Sequence, residues 1–240
     1  MDEGPEREMM SDMQLNWLNL VKRERAIAVI RTHDLELGRQ MAHALAAGGM
    51  SLIEIAWNQA NASVLIEQLS QDLPHCTIGS GTILNREDLR RAIGAGARFL
   101  FMPHTEPGLI EATVEQGIPV IPGALSPTEI LTAWQAGATC VKVFPIQTVG
   151  GTSYLQALRG PLGHIPLIPT GGVTVENARA FLQAGAIAVG LSTDLCPKNL
   201  IQSGNWAAIE ERASQLMNQL KEKSPCLPGW FDPFNNGADC

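Results

Sequence analysis

No apolar run in the 240-residue sequence approaches the ~20 residues that a bilayer-spanning helix needs, so nothing in it reads as a membrane anchor. Basic residues are outnumbered, 17 against 24 acidic, for a net charge of −7, and KRER at 22–25 is the one short basic cluster. A chain of this kind lacks the electropositive footprint of a nucleic-acid binder. The five cysteines, Cys76, Cys140, Cys196, Cys226 and Cys240, are odd in number, with no CxxC and no metal-like spacing, and read as reduced thiols. His33, His43, His75, His104 and His164 are scattered and form no HxH or HExxH pair, so no metal site is expected. The opening MDEGPEREMM is acidic and polar, unlike a signal peptide, and the expected location is cytoplasmic.

What is present is apolar and regularly punctuated. With 45% hydrophobic residues the chain is long enough for one large core. From Ala26 onward, short β-branched runs alternate with stretches of helical period: AIAVIRT, SLIEIAW, CTIGSGTIL, RFLFMPH, IPVIPGA, TCVKVFPI, IPLIPTGG and IAVGLST each precede a helix-like segment. Asp34 reads as the N-cap of the first of these helices. Near-continuous Val/Ile/Leu runs imply strands covered on both faces, and eight units of roughly 20 to 25 residues predict an α/β fold of the closed (β/α)8 TIM-barrel type. AAGG, GAGA and two QAGA phrases close successive helices and are read as repeated C-caps. The predicted organisation is an N-terminal extension and capping helix over 1–25, a barrel over 26–223, and an irregular Pro/Gly-rich tail over 224–240, docked through Trp230, Phe231 and Phe234.

Two ions interrupt apolar strands. Lys142 stands in TCVKVFPI on the same face as Cys140 and Phe144, and Glu54 stands in SLIEIAW with Ile53 and Ile55 facing the other way. A lysine is tolerable on the inner face near the barrel mouth, where partial desolvation lowers its pKa and frees an amine to attack a carbonyl. A carboxyl across the ring can shuttle protons; the competing reading is a buried ion pair between the two, a weak device for stability. Thr82 follows two glycines at the end of strand three, PTGG closes strand seven, and Gly190 with Ser192 closes strand eight. Loops after strands seven and eight of such barrels often bind phosphate. His104, at the end of strand four, is read as a loop residue.

IEIAW, GSGTILN, IPVIPGALSPTEI, VKVFP, QALRGPL and PTGGV, in this order from Ala26 to Leu220, give the chain its resemblance to the class I 2-keto-3-deoxy-6-phosphogluconate (KDPG) / 4-hydroxy-2-oxoglutarate (KHG) aldolase family. The resemblance implies a homotrimer acting on a small-molecule 2-oxo acid without cofactor, Lys142 forming the imine and Glu54 serving as general acid/base. It further implies a substrate site with Thr82, Phe144, Pro103 and Thr170, and a phosphate site at Gly171, Gly172, Gly190, Leu191 and Ser192. The expected products are pyruvate and an aldehyde, glyceraldehyde 3-phosphate or glyoxylate. Oxaloacetate decarboxylation through the same imine and a non-catalytic phosphometabolite-binding barrel are the alternatives. At the position of the family's carboxylate-clamping arginine this chain has Asn58, and its strand four ends in MPH where many relatives read SPG. Losing the charge is expected to cost about 1.5–3 kcal/mol of affinity for the usual 2-oxo acid unless another cation substitutes.

Overall fold

The structure, a computed structural model, describes residues 11–57 and 61–221. Asn58, the predicted tail over 224–240 and its Cys226 and Cys240 lie outside the described residues.

The first helix, α1 (Asp12–Glu24), begins with a full capping box between Ser11 and Gln14 and ends on Arg25 at φ 62°. Strands and helices then alternate: β1 (Ala26–Ile30), α2 (Leu35–Ala47), β2 (Leu52–Ala56), α3 (Ala62–Asp72), β3 (Thr77–Gly81), α4 (Arg86–Gly94), β4 (Leu100–Phe101) and α5 (Pro107–Val114). There follow β5 (Val120–Ile121), β6 (Gly123–Ala124), α6 (Pro127–Gln135), β7 (Val141–Val143), α7 (Gly151–Leu162), β8 (Leu167–Pro169), α8 (Ala178–Gln183), β9 (Val189–Leu191), α9 (Lys198–Gln202) and α10 (Trp206–Lys221). Each of the eight apolar runs read from the sequence holds a strand. The run IPVIPGA holds two, because Pro122 has no N–H to donate and divides β5 from β6. The short helix α9, five residues opening at Pro197, was not read from the sequence.

All pairings are parallel. The order β5-β4-β3-β2-β1-β9 forms one sheet and β6-β7-β8 a second. The two are joined through Pro122 at one edge and through a parallel bridge between Thr170 and Gly190 at the other. The result is a curled parallel sheet wrapped in helices. Gly49, Gly96, Gly137 and Gly185 follow their helices at φ between 93° and 100°, the left-handed caps that the repeated AAGG, GAGA and QAGA phrases announce.

Two apolar layers follow from strand alternation. Ile53, Ile55, Val141, Val143, Val189 and Leu191 face the helices and join the larger core. Ile27, Leu52, Phe99, Phe101, Ile121, Cys140, Ile168 and Ala188 face inward and form a second cluster with Trp17, Leu18 and Val21 of α1. Trp17 lies 5.4 Å from Phe99, centroid to centroid, and Phe99 meets Phe101 edge-on at 5.8 Å. Gln14, itself buried, donates through Nε2 to Thr139 Oγ1 at 3.3 Å, so α1 is tied to the inner layer by a polar contact as well. Burying each large side chain of α1 contributes about 1.5–3 kcal/mol.

Candidate active site

Lys142 sits on β7 in register with Gly123 of β6 and Ile168 of β8. Its neighbours Val141 and Val143 belong to the outer core while Cys140 belongs to the inner layer, so the lysine side chain projects inward, as alternation predicts. It is 8% exposed. Its Nζ lies 4.9 Å from the ring centroid of Phe144 and 5.6 Å from that of Phe101, so the amine is walled by aromatic faces.

Glu54 comes from β2, paired with Val29 of β1 and Gly79 of β3, and is 2% exposed. Its Oε2 has no hydrogen-bond partner. Burial pushes its pKa above the ordinary carboxylate value, and attraction from Lys142 and then Arg31 opposes that rise. Among the described residues Glu54 and Lys142 form no close ion pair, which leaves a buried carboxyl with its Oε2 unsatisfied rather than a closed salt bridge.

Room for this carboxyl comes from β3. A Cβ on Gly81 would lie 1.7 Å from Glu54 Oε1, and one on Gly79 would lie 2.4 Å from the Phe99 ring. The glycines of GSGTILN therefore vacate the inner face for the side chains of neighbouring strands. Thr82, the next residue, has φ 62°, a left-handed conformation rare for a β-branched residue and of the kind that gathers at functional sites.

A cavity of about 650 Å³ opens at the C-terminal ends of the strands. The predicted residues Lys142, Thr82, Phe144, Pro103, Thr170, Gly171, Gly172, Gly190 and Ser192 line it. Leu191 does not: its side chain faces the helices in the outer core; Glu54, buried on β2, and His104 are likewise outside the lining. Gly171 and Gly172, at φ 89° and 87°, turn the chain left-handed twice in succession. A Cβ on Gly172 would lie 2.3 Å from Gln147 Cβ, so side-chain space is absent there too. Thr170 Oγ1 is buried without a partner, and Ser192 Oγ donates to Val29 O at 2.9 Å.

Arg31, one residue beyond β1, lines the same cavity and attracts Glu54, a role the sequence analysis did not assign to it. Strand parity carried the signal: Ile27, Val29 and Arg31 share a face, and Ile27 is inward. Trp57, just after β2, is held by Nε1 donation to Asp88 Oδ1 at 2.9 Å and by the Arg91 guanidinium over its ring. The thiols of Cys76, Cys140 and Cys196 are free, and burial raises their pKa, that of Cys76 to about 11 and that of Cys196 to about 12. Among the described residues no three His, Cys, Asp or Glu side chains converge as a metal site would require.

A parallel, curled α/β sheet carrying a buried lysine that lines the cavity and a buried carboxyl on an inward strand face places the chain in the class of lysine-bearing α/β barrel-like proteins. The model of the aldolases termed KDPG and KHG aldolase matches residues 18–212, and the chain belongs to that family. Among relatives, the 2-dehydro-3-deoxy-phosphogluconate aldolase of Pseudomonas aeruginosa is 33% identical over 201 residues, 83% of this chain and 91% of the relative. The KHG/KDPG aldolase of Escherichia coli is 30% identical over 195 residues, 81% of this chain and 92% of the relative. The KDPG aldolase of Legionella pneumophila, solved with pyruvate as a covalent carbinolamine intermediate, superposes with a TM-score of 0.77 at 29% identity, covering 83% of this chain and 97% of that one.

Proposed function

We propose that the protein is a Schiff-base aldolase cleaving KDPG, 4-hydroxy-2-oxoglutarate or both to pyruvate and an aldehyde. The observation that carries the reading is the inward Lys142 that attracts the buried Glu54 carboxyl, whose Oε2 has no hydrogen-bond partner, in a chain of the KDPG and KHG aldolase family. The Lys142 amine adds to the C2 carbonyl, and Glu54 delivers the proton with which the C2 oxygen leaves as water. Glu54 then takes the proton of the C4 hydroxyl as the C3–C4 bond breaks, and the bonding pair flows into the iminium to give an enamine. Protonation at C3 and hydrolysis release pyruvate and restore the lysine. The raised pKa of Glu54 suits a group that must both give and take a proton.

The substrate carboxylate falls to Arg31, the cation besides Lys142 among the described residues that line the cavity. Asparagine at position 58 leaves the carboxylate without the family's usual charge, and Arg31 supplies one from β1 instead. Thr82, Pro103, Thr170 and Phe144 enclose the pyruvyl part, and the backbone around Gly171, Gly172, Gly190 and Ser192 receives the distal phosphate.

The same reading extends to architecture. The strands make a (β/α)8 barrel over 26–223, closed by the Thr170–Gly190 bridge, with α1 as its floor. The assembly proposed is a homotrimer; likeness to a cage built by fusing symmetric oligomeric domains, 26% identical with a TM-score of 0.75, supports an oligomer. A cytoplasmic location belongs to the same proposal, by likeness to bacterial sugar-acid aldolases. No helix among the described residues is long and apolar enough to cross a membrane.

The deciding experiment is reduction with borohydride in the presence of pyruvate. A pyruvyl adduct on the Lys142 peptide, absent from Lys142→Arg, is the expected result, and an unmodified mass refutes the imine. Parallel turnover of KDPG, 4-hydroxy-2-oxoglutarate and oxaloacetate then separates aldol cleavage from decarboxylation.

A further inference from the structure

One acidic residue lines the cavity where the distal phosphate is placed. Asp194 follows β9 by three residues, and its carboxylate contacts neither glycine of the β8 turn. Instead Oδ2 accepts from the Val175 N–H at 2.8 Å, in the loop after β8. The same oxygen accepts from Arg212 Nη2 on α10 at 3.0 Å, and the Asp194 backbone carbonyl accepts from Arg212 Nε at 2.8 Å. Both side chains are about three-quarters buried, at 26% and 28% exposure. The guanidinium therefore grips the β9 loop by backbone and side chain at once, and the carboxylate passes the grip to the β8 loop.

A bare carboxylate beside a phosphate would repel it by Coulomb's law. Here the charge is neutralised by Arg212, and both hydrogen bonds to Oδ2 tie the two anion-binding loops to each other and to α10. The β8 loop is stiffened from its other side as well: Asn177 Oδ1 accepts from Thr174 N and Asn177 Nδ2 donates to Gly172 O.

We infer that Arg212 and Asp194 are positioning residues that set the separation of the two loops, and so the preference for a substrate with a distal phosphate. The inference rests on the phosphate end of the site assigned above, and it concerns discrimination rather than the imine chemistry. Arg212 lies on the far side of Asp194 from the cavity, outside its lining.

The test is condensation of pyruvate with glyceraldehyde 3-phosphate or with glyceraldehyde, on the full chain. Arg212→Ala should raise KM for the phosphorylated aldehyde about tenfold while kcat, and both constants for glyceraldehyde, stay within about twofold. Asp194→Asn, which keeps an oxygen acceptor, should hold that KM within about threefold, whereas Asp194→Ala should match Arg212→Ala. Equal losses on both aldehydes, an unchanged KM, or a lower KM in Asp194→Ala would each overturn the clamp, the last by revealing simple repulsion. If Arg212→Ala does not fold, Arg212→Lys is read by the same ratio. Absence of the pyruvyl adduct in the wild-type protein sinks the reaction itself, a result distinct from an adduct with unaltered discrimination.

Discussion

Replacing Gly81 with alanine adds one methyl group at the point where the Glu54 carboxyl rests, 1.7 Å from Oε1 and 2.4 Å from Cδ. Neither approach is tolerable, so the carboxyl or β3 has to move by an ångström or more. The backbone at Gly81 is not left-handed, so alanine adopts its conformation without strain. Reduced freedom of the unfolded chain then contributes about 0.4–1 kcal/mol in favour of folding, against about 1–3 kcal/mol for overpacking. The net loss of stability is at most about 2–3 kcal/mol, leaving the protein folded at 25 °C. Catalysis is more sensitive, because a displacement of about 1 Å in a reacting group costs on the order of a hundredfold. The expected result is a kcat for pyruvate release reduced about a hundredfold, with a melting temperature lowered by a few degrees and borohydride trapping at Lys142 slowed rather than abolished. A variant with wild-type kcat would show that the Glu54 carboxyl is not at the reacting atoms, and the mechanism would have to be abandoned.

Burial raises the Glu54 pKa above the ordinary carboxylate value of 4.5, so its folded form favours the proton; stability is fully present below about pH 4.5 and is lost as pH rises through the folded pKa. Glu54→Gln should therefore melt higher than wild type at neutral pH, with the gain gone below about pH 4.5, while pyruvate release falls by about 10²–10⁴. Arg31→Gln should raise KM for the 2-oxo acid by roughly tenfold or more, for phosphorylated and unphosphorylated substrates alike, and an unchanged KM would remove Arg31 from the carboxylate site. Ser192→Ala deletes the hydroxyl that donates to Val29 O and should cost about 0.5–1.5 kcal/mol by denaturant unfolding. Because that hydroxyl is already engaged, KM for the phosphorylated substrate should change less than twofold.

Lys142 and Glu54 were legible in the sequence because a charge inside a β-branched run violates the ordinary cost of burial, and period-two alternation then fixed the face on which each stands. The eight strand runs were legible for the same reason, since apolar content and glycine punctuation are local properties. Arg31 escaped notice because a charge just past the end of a strand violates nothing; its significance comes from facing the cavity and attracting Glu54. The clearance made by Gly79 and Gly81 depends on which side chains sweep across from neighbouring strands, and pairing register is a non-local quantity. Leu191 was assigned to the phosphate site by its place in a loop phrase whose backbone N–H groups were the expected donors, and alternation turns its side chain toward the helices. The helix α9 is one short turn and carries too few residues for a period to register.

The ring of Phe99 occupies the volume that any side chain at position 79 would claim, with three ring carbons 2.4 to 2.5 Å from the would-be Cβ. The two positions are therefore bound in their ancestry: a lineage that enlarges residue 79 has first to shrink residue 99, and the reverse order passes through a misfit. Trp17 leans on the same ring. Change at this level of the interior thus reaches the N-terminal helix, and drift there is confined to coordinated steps.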